Sequence, residues 1–372
     1  MLQFLTCGES HGKYLTAILE GLPSGLLIRA DFVNHELARR QQGYGRGGRQ
    51  KIEKDQVEIT GGIYRDKTTG APIGFLLANK DVKIDELPQL FRPRPGHADL
   101  AGSLKYHQGI REVLERASAR ETTMRVAVGA LCKLFLLEFG IEVAGHVVQI
   151  GKARVEESVT FDQILKRREG SPVNCVSRDI EKMMRAEIER AMKAKDTVGG
   201  TYEIRVRGVP VGLGSHVHYK RKLDGRIAQG LMSMQSVKAV EFGLGSHEAE
   251  TPGSEAHDEI FYDAKHGYYH KTNRAGGVTG GMTNGAEICV RATMKPISTL
   301  RRELRSVNMK TKKEEKADFE RSDVCAVPAG SVIGEAIVAF EVADAFLEKF
   351  GGDSIPETKR NYEGYLGQLE KS

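Results

Sequence analysis

The sequence predicts an α+β fold in one large domain that spans residues 1–372. Helical and strand patterns are interspersed, but the regular strand-helix-strand order of a doubly wound sheet is missing. The chain contains 42 glycines, which favours many turns and loop-lined pockets over a long helical bundle. Neither a clear repeat nor a flexible linker divides the chain, so a second domain is not indicated.

Four short strands are predicted in the N-terminal part of the chain, at residues 2–6, 15–19, 57–63 and 71–78. Each is an apolar run bounded by turn residues. A glycine-flanked turn separates the first two strands and exposes His11 at a strand end. Asp31 is suited to cap a helix that runs to Arg40.

A long ordered loop is predicted between residues 81 and 115. This stretch contains charges, three prolines and no sustained period, and ordered loops of such length are usually functional. Ser118 and Glu121 then match a helix capping box, and apolar residues continue at helical spacing until Gly140. Further strands are predicted at 141–150, 202–206 and 288–294, and further helices at 161–168, 178–195, 223–234 and 328–351.

Composition limits the ligands and the cellular locations that fit this sequence. A formal net charge of +5 permits an anionic ligand but does not require a polyanion. The five cysteines are scattered and form no Cys-x-x-Cys pair, so a reducing cytoplasm is the expected location. Because the sequence has no signal-peptide pattern and no stretch of about 18 apolar residues, neither secretion nor a membrane partner is expected.

Four polar segments together predict an enzyme for an anionic substrate: GESHG at 8–12, GYGRGGR at 43–49, RPRPGHAD at 92–99 and RSD at 321–323. In the first, an imidazole at a strand end can exchange protons near neutral pH, with Ser10 and Glu9 beside it. A hydrogen-bonded structural histidine fits the same residues. The same two interpretations are open for His97, which lies between Arg92, Arg94 and Asp99 in a proline-containing loop, although the acid–base argument is weaker there.

The segment 43–49 formally matches the dinucleotide-binding pattern G-x-G-x-x-G. It follows a helix and precedes a polar run, whereas that pattern normally joins a strand to a helix, so a dinucleotide fold is not expected. Two interpretations remain, a flexible basic loop and a mobile clamp. In the clamp, Arg40, Arg46 and Arg49 would grip phosphate or carboxylate oxygens.

Two further segments are suited to phosphate. Ser118 opens a predicted helix whose free amides attract anions, and Arg116 and Arg120 flank it. Lys295 follows a predicted strand and precedes two hydroxyl-bearing residues, a combination that suits a second phosphate.

Other polar residues leave alternatives open. Asp323 is either a catalytic base or part of a salt-bridged lead-in to the last predicted helix. His216 and His218 are predicted to share one face of a strand, but no third ligand lies nearby in the sequence. No metal site is therefore predicted.

Taken as a set, these segments resemble the chorismate synthase family. The resemblance rests on GESHG at 8–12, GYGRGGR at 43–49, RPGHAD at 94–99, RASARETTMRVAVGA at 116–130 and RSDVCAVP at 321–328. It implies helices packed between antiparallel sheets, in a homotetramer. It also implies the last step of the shikimate pathway, in which 5-enolpyruvylshikimate 3-phosphate loses phosphate and a ring hydrogen by 1,4-anti elimination to give chorismate.

The resemblance further implies reduced FMN as cofactor, with NADPH as a possible reductant. By motif position it assigns catalytic roles to Ser10, His11, His97 and Asp323. It places Arg40 and Arg46 at NADPH, although both suit the substrate equally well, together with Arg49 and Arg120. The implied FMN-binding residues are Arg116, Ala117, Ser118, Gln235, Ser236, Gly280, Lys295, Pro296, Ile297, Ser298, Thr299 and Arg321.

Two of these positions depart from the family pattern, which commonly has serine in place of Ala117 and asparagine in place of Gln235. Ala117 offers only its backbone to FMN, and Gln235 must reach with a longer side chain.

Two other classes fit parts of the sequence. An RNA-binding module would use the basic segment 43–49, but only Tyr44 offers an aromatic ring there, and stacking platforms usually need more. Nucleic acid is therefore not an expected partner. An NADPH-dependent flavin reductase without lyase activity would oxidise NADPH and release no phosphate. The sequence leaves open whether the enzyme reduces its own flavin.

Overall fold

Helices lie between two antiparallel sheets, which confirms the α+β prediction. The computed structural model describes residues 1–47, 53–264 and 267–371. Within these ranges the helices are α1 (Ala30–Gln41), α2 (Asp99–Tyr106), α3 (Ile110–Ala117), α4 (Thr122–Leu137), α5 (Phe161–Arg167), α6 (Arg178–Lys193), α7 (Leu223–Met232), α8 (Gly253–Ala256), α9 (Val327–Phe350) and α10 (Ile355–Leu369).

The strands alternate with these helices along the chain. They are β1 (Gln3–Cys7), β2 (Tyr14–Glu20), β3 (Glu58–Gly61), β4 (Ile63–Tyr64), β5 (Lys67–Thr68), β6 (Ile73–Ala78), β7 (Glu142–Ile150), β8 (Ala153–Arg154), β9 (Gly200–Arg207), β10 (Val237–Phe242), β11 (Ile260–Asp263), β12 (Gly267–His270), β13 (Val278–Thr279), β14 (Met282–Thr283), β15 (Ile288–Met294), β16 (Arg305–Val307) and β17 (Glu314–Lys316).

The N-terminal sheet has the strand order β1-β2-β6-β3, with every neighbouring pair antiparallel. Alternation along β2 buries Leu15, Ala17 and Leu19 on the face that meets the helices. The connection between β1 and β2 is the turn that carries His11, so the first predicted motif lies at one end of this sheet.

The central sheet has the order β10-β15-β9-β7-β8 and is also antiparallel throughout. Strand β9 confirms the strand predicted at residues 202–206, and its apolar residues Tyr202, Ile204 and Val206 are fully buried. Glu203 is buried as well, in ion pairs with Arg205 and Arg291, so the two faces of the strand do not alternate simply between buried and exposed. Four short hairpins, β4-β5, β11-β12, β13-β14 and β16-β17, project from these two sheets.

Two long helices fill the space between the sheets. Helix α4 packs on β1 and β2, α9 packs on β7 and β9, and α4 and α9 pack on each other. Both are buried along most of their length, which is why their apolar residues surround the whole helix and do not form a single stripe. One continuous hydrophobic core extends from Leu2 to Ile355.

Gly129 sets the closest approach of α4 to α9. A Cβ atom there would lie 2.5 Å from the Cα of Ala336, a separation that the two backbones cannot accommodate without moving apart. We expect Gly129→Ala to lower the free energy of unfolding by about 1–3 kcal/mol, as overpacked cores do. The measurement is the urea midpoint at equilibrium.

Gly225→Ala in α7 is the matched control, since a Cβ there would meet only Lys222 Cβ at 3.9 Å. This change should be neutral or should stabilise the helix by up to about 1 kcal/mol. Equal midpoints for the two variants would contradict the close-packing interpretation of Gly129.

The predicted loop between residues 81 and 115 is wrong in its second half, which forms α2 and α3. Both helices are short and follow a stretch that contains prolines, which favoured the prediction of a loop. The helical spacing of Ile110 and Leu114, both of which are buried, was therefore overlooked. The helix predicted to begin at Pro328 is confirmed by α9, but α10 follows it and was not predicted.

Three local predictions are also corrected. Asp31 lies inside α1, where its side chain does not cap the helix. The capping box at Ser118 is incomplete, because Glu121 binds Arg125 and the Ser118 N–H donates to the Leu114 carbonyl. His216 and His218 lie in a bend and not on a strand. Throughout the described ranges, we find no helix that has both the length and the apolar character needed to cross a bilayer.

Candidate active site

A cavity of about 690 Å³ opens between the N-terminal turn, the start of α4 and the lead-in to α9. It gathers most of the residues that the sequence predicted for the site. They are Ser10, His11, Arg40, Arg46, His97, Ala117, Ser118, Arg120, Gln235, Ser236, Lys295, Ile297, Ser298, Thr299, Arg321 and Asp323. These residues come from segments up to about 300 positions apart, and the tertiary fold unites them.

Three predicted residues do not line this cavity. Arg116 is exposed and donates to the carbonyl oxygens of Thr6 and Gly8, at 2.8 and 3.1 Å, so it holds strand β1. Gly280 lies in the turn between β13 and β14. Pro296 separates two residues that do line the cavity. Arg49 lies outside the described residues.

His11 is held by the buried carboxylate of Glu115. The His11 main-chain N–H donates to Glu115 Oε2 at 2.7 Å, and ring Nδ1 lies 2.9 Å from Oε1. Gly8 permits this turn, since its φ of 107° favours glycine and a Cβ there would collide with the Tyr14 carbonyl. The ring is thereby fixed in orientation at the cavity wall.

His97 is held by a second carboxylate. Its Nδ1 lies 2.5 Å from Asp99 Oδ1, and Arg94 binds both oxygens of Asp99, at 2.7 and 2.9 Å. Burial alone would raise the pKa of Asp99, but the hydrogen bonds from Arg94 and His97 outweigh it and lower that pKa. Arg94 also donates a hydrogen bond to Thr299 Oγ1 at 2.8 Å, so it links the loop before α2 to the segment that follows β15.

Asp323 is paired with two residues of the predicted clamp, Arg46 and Gly47. Its carboxylate lies 2.9 Å from Arg46 NH1 and accepts the Gly47 N–H at 2.5 Å. The interaction brings the lead-in to α9 against the end of α1. Asp323 is therefore compatible with both interpretations, because it forms a salt bridge and also lines the cavity.

Arg40 and Arg120 line one wall of the cavity, called here the cationic wall, and the buried carboxylates of Asp55 and Glu53 pair with them. Both are buried and both face Asp55, which binds Arg120 NH1 at 2.7 Å and lies 3.6 Å from Arg40 NH1. Burial, together with the positive charges of Arg120 and Arg46, lowers the pKa of Arg40 to about 9 despite Asp55. Arg40 NH1 and Arg120 NH2 are buried without a hydrogen-bond partner among the described residues.

The opposite wall is neutral or weakly cationic. Gln235 donates to Glu121 at 3.5 Å, and its buried Oε1 has no hydrogen-bond partner in the described part of the chain. Ser236 adopts a φ of 72°, which is rare for a residue with a Cβ and occurs often at functional sites. Lys295 donates to the Gly96 carbonyl, and burial with the charge of Lys238 lowers its pKa.

Sequence reasoning missed the carboxylates behind this cavity. Glu115 lies in the stretch predicted as a loop, and the buried spacing of Ile110 and Leu114 was the signal that could have placed it on a helix. No local sequence pattern indicated a site role for Asp55, because the residue that it binds, Arg120, lies 65 positions away in the sequence.

Known proteins share the whole fold of this chain. The model of a family described as chorismate synthase matches residues 2–347. A chorismate synthase of Geobacter sulfurreducens is 52% identical, over 98% of both chains, and one of Shouchella clausii is 53% identical, over 95% of this chain and 96% of its own. A crystal structure of chorismate synthase superposes with a TM-score of 0.84 at 40% identity and covers 100% of this chain and 99% of that one.

Proposed function

The chain belongs to the chorismate synthase family, a family of lyases in aromatic amino acid biosynthesis, and we propose that its cavity performs the 1,4-anti elimination of 5-enolpyruvylshikimate 3-phosphate. The observation that carries the proposal is the convergence of His11, His97, Asp323 and a group of arginines on one cavity. In the reaction, the ring loses a proton to a base, the allylic carbon–oxygen bond breaks, and phosphate leaves with the bonding electrons.

The cavity fits reduced FMN as the cofactor. Its volume lies within the usual range for small-molecule sites, and its neutral wall carries a buried amide oxygen on Gln235 that has no partner in the described chain. When bound, reduced FMN would supply electron density as phosphate departs. The residues proposed to hold it are Ala117 and Ser118, Gln235 and Ser236, Lys295 and residues 296–299, and Arg321. Arg116 and Gly280, which the resemblance also assigns to FMN, do not line the cavity.

The cationic wall supports an anionic substrate. Arg40 NH1 and Arg120 NH2 are buried and make no hydrogen bond in the described chain, although each lies within ion-pair distance of a carboxylate, at 3.6 Å from Asp55 and 3.5 Å from Glu53. A buried donor of this kind is stabilised when a ligand accepts from it. Phosphate or carboxylate oxygens would satisfy both. We therefore propose that Arg40, Arg46 and Arg120 bind the anionic substrate, with Arg49 in the same role.

Each polar group has a proposed part in the chemistry. His11 exchanges a proton with the bound ligands, and His97 assists the departing phosphate. Asp323, with Ser10, supports removal of the ring proton. Because Asp323 is paired with Arg46 here, we propose that Arg46 turns toward the anionic substrate and releases the carboxylate as it binds.

The assembly is proposed to be a homotetramer of a single catalytic domain, located in the cytoplasm. Leu5 and Ile18 support subunit contacts, because they are 78% and 55% exposed on the outer face of the N-terminal sheet. All five cysteines are free thiols, as expected in a reducing compartment. Light scattering of the purified protein would give the subunit number.

The decisive experiment is an anaerobic assay of the purified protein with chemically reduced FMN and 5-enolpyruvylshikimate 3-phosphate. Formation of chorismate with an equal amount of phosphate supports the proposal. Repetition with oxidised FMN and NADPH shows whether the enzyme reduces its own flavin. NADPH oxidation without phosphate release, even with reduced FMN present, would favour a flavin reductase instead.

The cationic wall yields a separate prediction. Arg40→Lys keeps a positive charge but loses the forked donor, so the KM for the enolpyruvyl substrate should rise by about tenfold or more, from one charge-assisted hydrogen bond of 1.5–3 kcal/mol. Initial rates at saturating reduced FMN measure this. Arg207→Lys, far from the cavity and paired with Glu142 and Asp162, is the control and should leave KM unchanged. A parental KM in Arg40→Lys would remove Arg40 from the substrate site.

A further inference from the structure

One buried carboxylate binds His11 at two points. Glu115 Oε2 accepts the main-chain N–H at 2.7 Å, while Oε1 lies 2.9 Å from ring Nδ1. The Glu115 side chain is only 2% exposed and belongs to α3, whereas His11 lies in the turn between β1 and β2. Glu115 does not itself line the cavity, so within the described chain its route to the ligands passes through His11.

The ionisation state of Glu115 determines where the shared hydrogen resides. Burial would raise the pKa of Glu115, but the hydrogen bonds from His11 and the charges of His11 and Arg111 lower it. The side chain is therefore a carboxylate near neutral pH, and a carboxylate can only accept hydrogen bonds. The hydrogen between the two side chains must then be carried by Nδ1 of His11.

We propose that Glu115 is a positioning residue that holds His11 in the Nδ1-protonated tautomer, so that Nε2 is the nitrogen that exchanges protons with the bound ligands. This inference rests on the acid–base role that the proposed function gives to His11. Glu115 also fixes the direction of the ring, because it binds the backbone and the side chain of the same residue.

Substitution of Glu115 by glutamine tests the tautomer directly. The main-chain N–H of His11 still needs an acceptor, so the amide oxygen of Glu115→Gln is expected to face it, and the amide nitrogen then faces Nδ1. An amide nitrogen donates, which forces Nδ1 to accept and moves the proton of the neutral ring to Nε2. The substitution thus reverses the tautomer with almost no change in shape.

The measurement is ¹⁵N NMR of histidine-labelled protein, in which His11 is assigned by the signal that His11→Gln removes. We expect the Nδ1-protonated tautomer in the parent and the Nε2-protonated tautomer in Glu115→Gln. Turnover with reduced FMN should fall at least tenfold in Glu115→Gln, and it should recover in part in Glu115→Asp, which keeps the carboxylate. Glu112→Gln on the exposed side of the same helix is the control and should retain parental turnover.

A double-mutant comparison separates positioning from other effects. Adding Glu115→Gln to His11→Ala should cause no further loss of turnover, because Glu115 acts only through the ring. A further loss there, an Nε2-protonated ring in the parent, or an unchanged tautomer in Glu115→Gln would each overturn the proposal. Parental turnover in His11→Ala would instead contradict the acid–base role in the proposed function, while the NMR result would still decide which nitrogen of His11 carries the proton beside Glu115.

Discussion

Replacement of His11 by alanine is expected to lower turnover about 10²- to 10⁴-fold, the usual contribution of a positioned acid–base group. The ring lines the cavity and is held in one orientation by Glu115, so its loss removes a proton-transfer group. The cations and hydroxyls of the other walls remain. FMN affinity should therefore stay close to that of the parent. Anaerobic chorismate formation and fluorescence titration of FMN measure the two quantities.

His257→Ala provides the control for this experiment, because His257 is exposed at the end of α8 and should be dispensable. If His11→Ala matched the parent in turnover with reduced FMN, the acid–base role would be lost. A drop in FMN affinity as large as the drop in turnover would assign His11 to binding.

Replacement of Glu335 by alanine is expected to lower the free energy of unfolding by about 3–5 kcal/mol, because Glu36 is then the one carboxylate partner left to Arg39 and Lys133 in a buried group of the described chain. Glu335 is 0% exposed in α9, and it binds Arg39 at 2.8 and 2.9 Å and the Gly145 N–H at 2.9 Å. Lys133 also contacts this carboxylate, and Arg168 lies 3.5 Å away. The group joins α1, α4 and α9.

Equilibrium urea unfolding measures this effect, with Glu138→Ala as the control. Glu138 pairs with Lys359 on the surface at 2.8 Å, and exposed pairs contribute only about 0–1 kcal/mol. Similar urea midpoints for Glu335→Ala and Glu138→Ala would contradict a structural role for the buried group.

The stability that Glu335 provides should also depend on pH. Burial would raise the pKa of Glu335, but Arg39, Lys133 and Arg168 outweigh it and lower that pKa below its ordinary value of 4.5. The unfolded chain then binds the proton more readily than the folded chain, so the contribution is complete above pH 4.5 and is lost as pH falls toward the folded pKa. Glu335→Ala should accordingly lose less stability than the parent on acidification.

The long, strongly patterned elements could be predicted from the sequence. Apolar residues at helical spacing predicted α4, Pro328 at the start and Gly351 at the end predicted α9, and alternating residues predicted strand β9. Helices α2 and α3 could not be predicted in this way, since they are short and follow a proline-rich stretch, and their stability comes from packing against the rest of the molecule.

The site residues can likewise be separated into those predicted from the sequence and those found only in the structure. His11, His97 and Asp323 could be named from the sequence because their residue types and glycine-rich surroundings are local properties of the chain. Only the tertiary structure showed that these three residues share one cavity. It also showed that Glu115 binds His11 and that Asp55 binds Arg120. Finally, it showed that Gly280 and Arg116 do not line the cavity. The physical reason is that charge pairing and burial act through space, between segments whose separation along the chain carries no periodic signal.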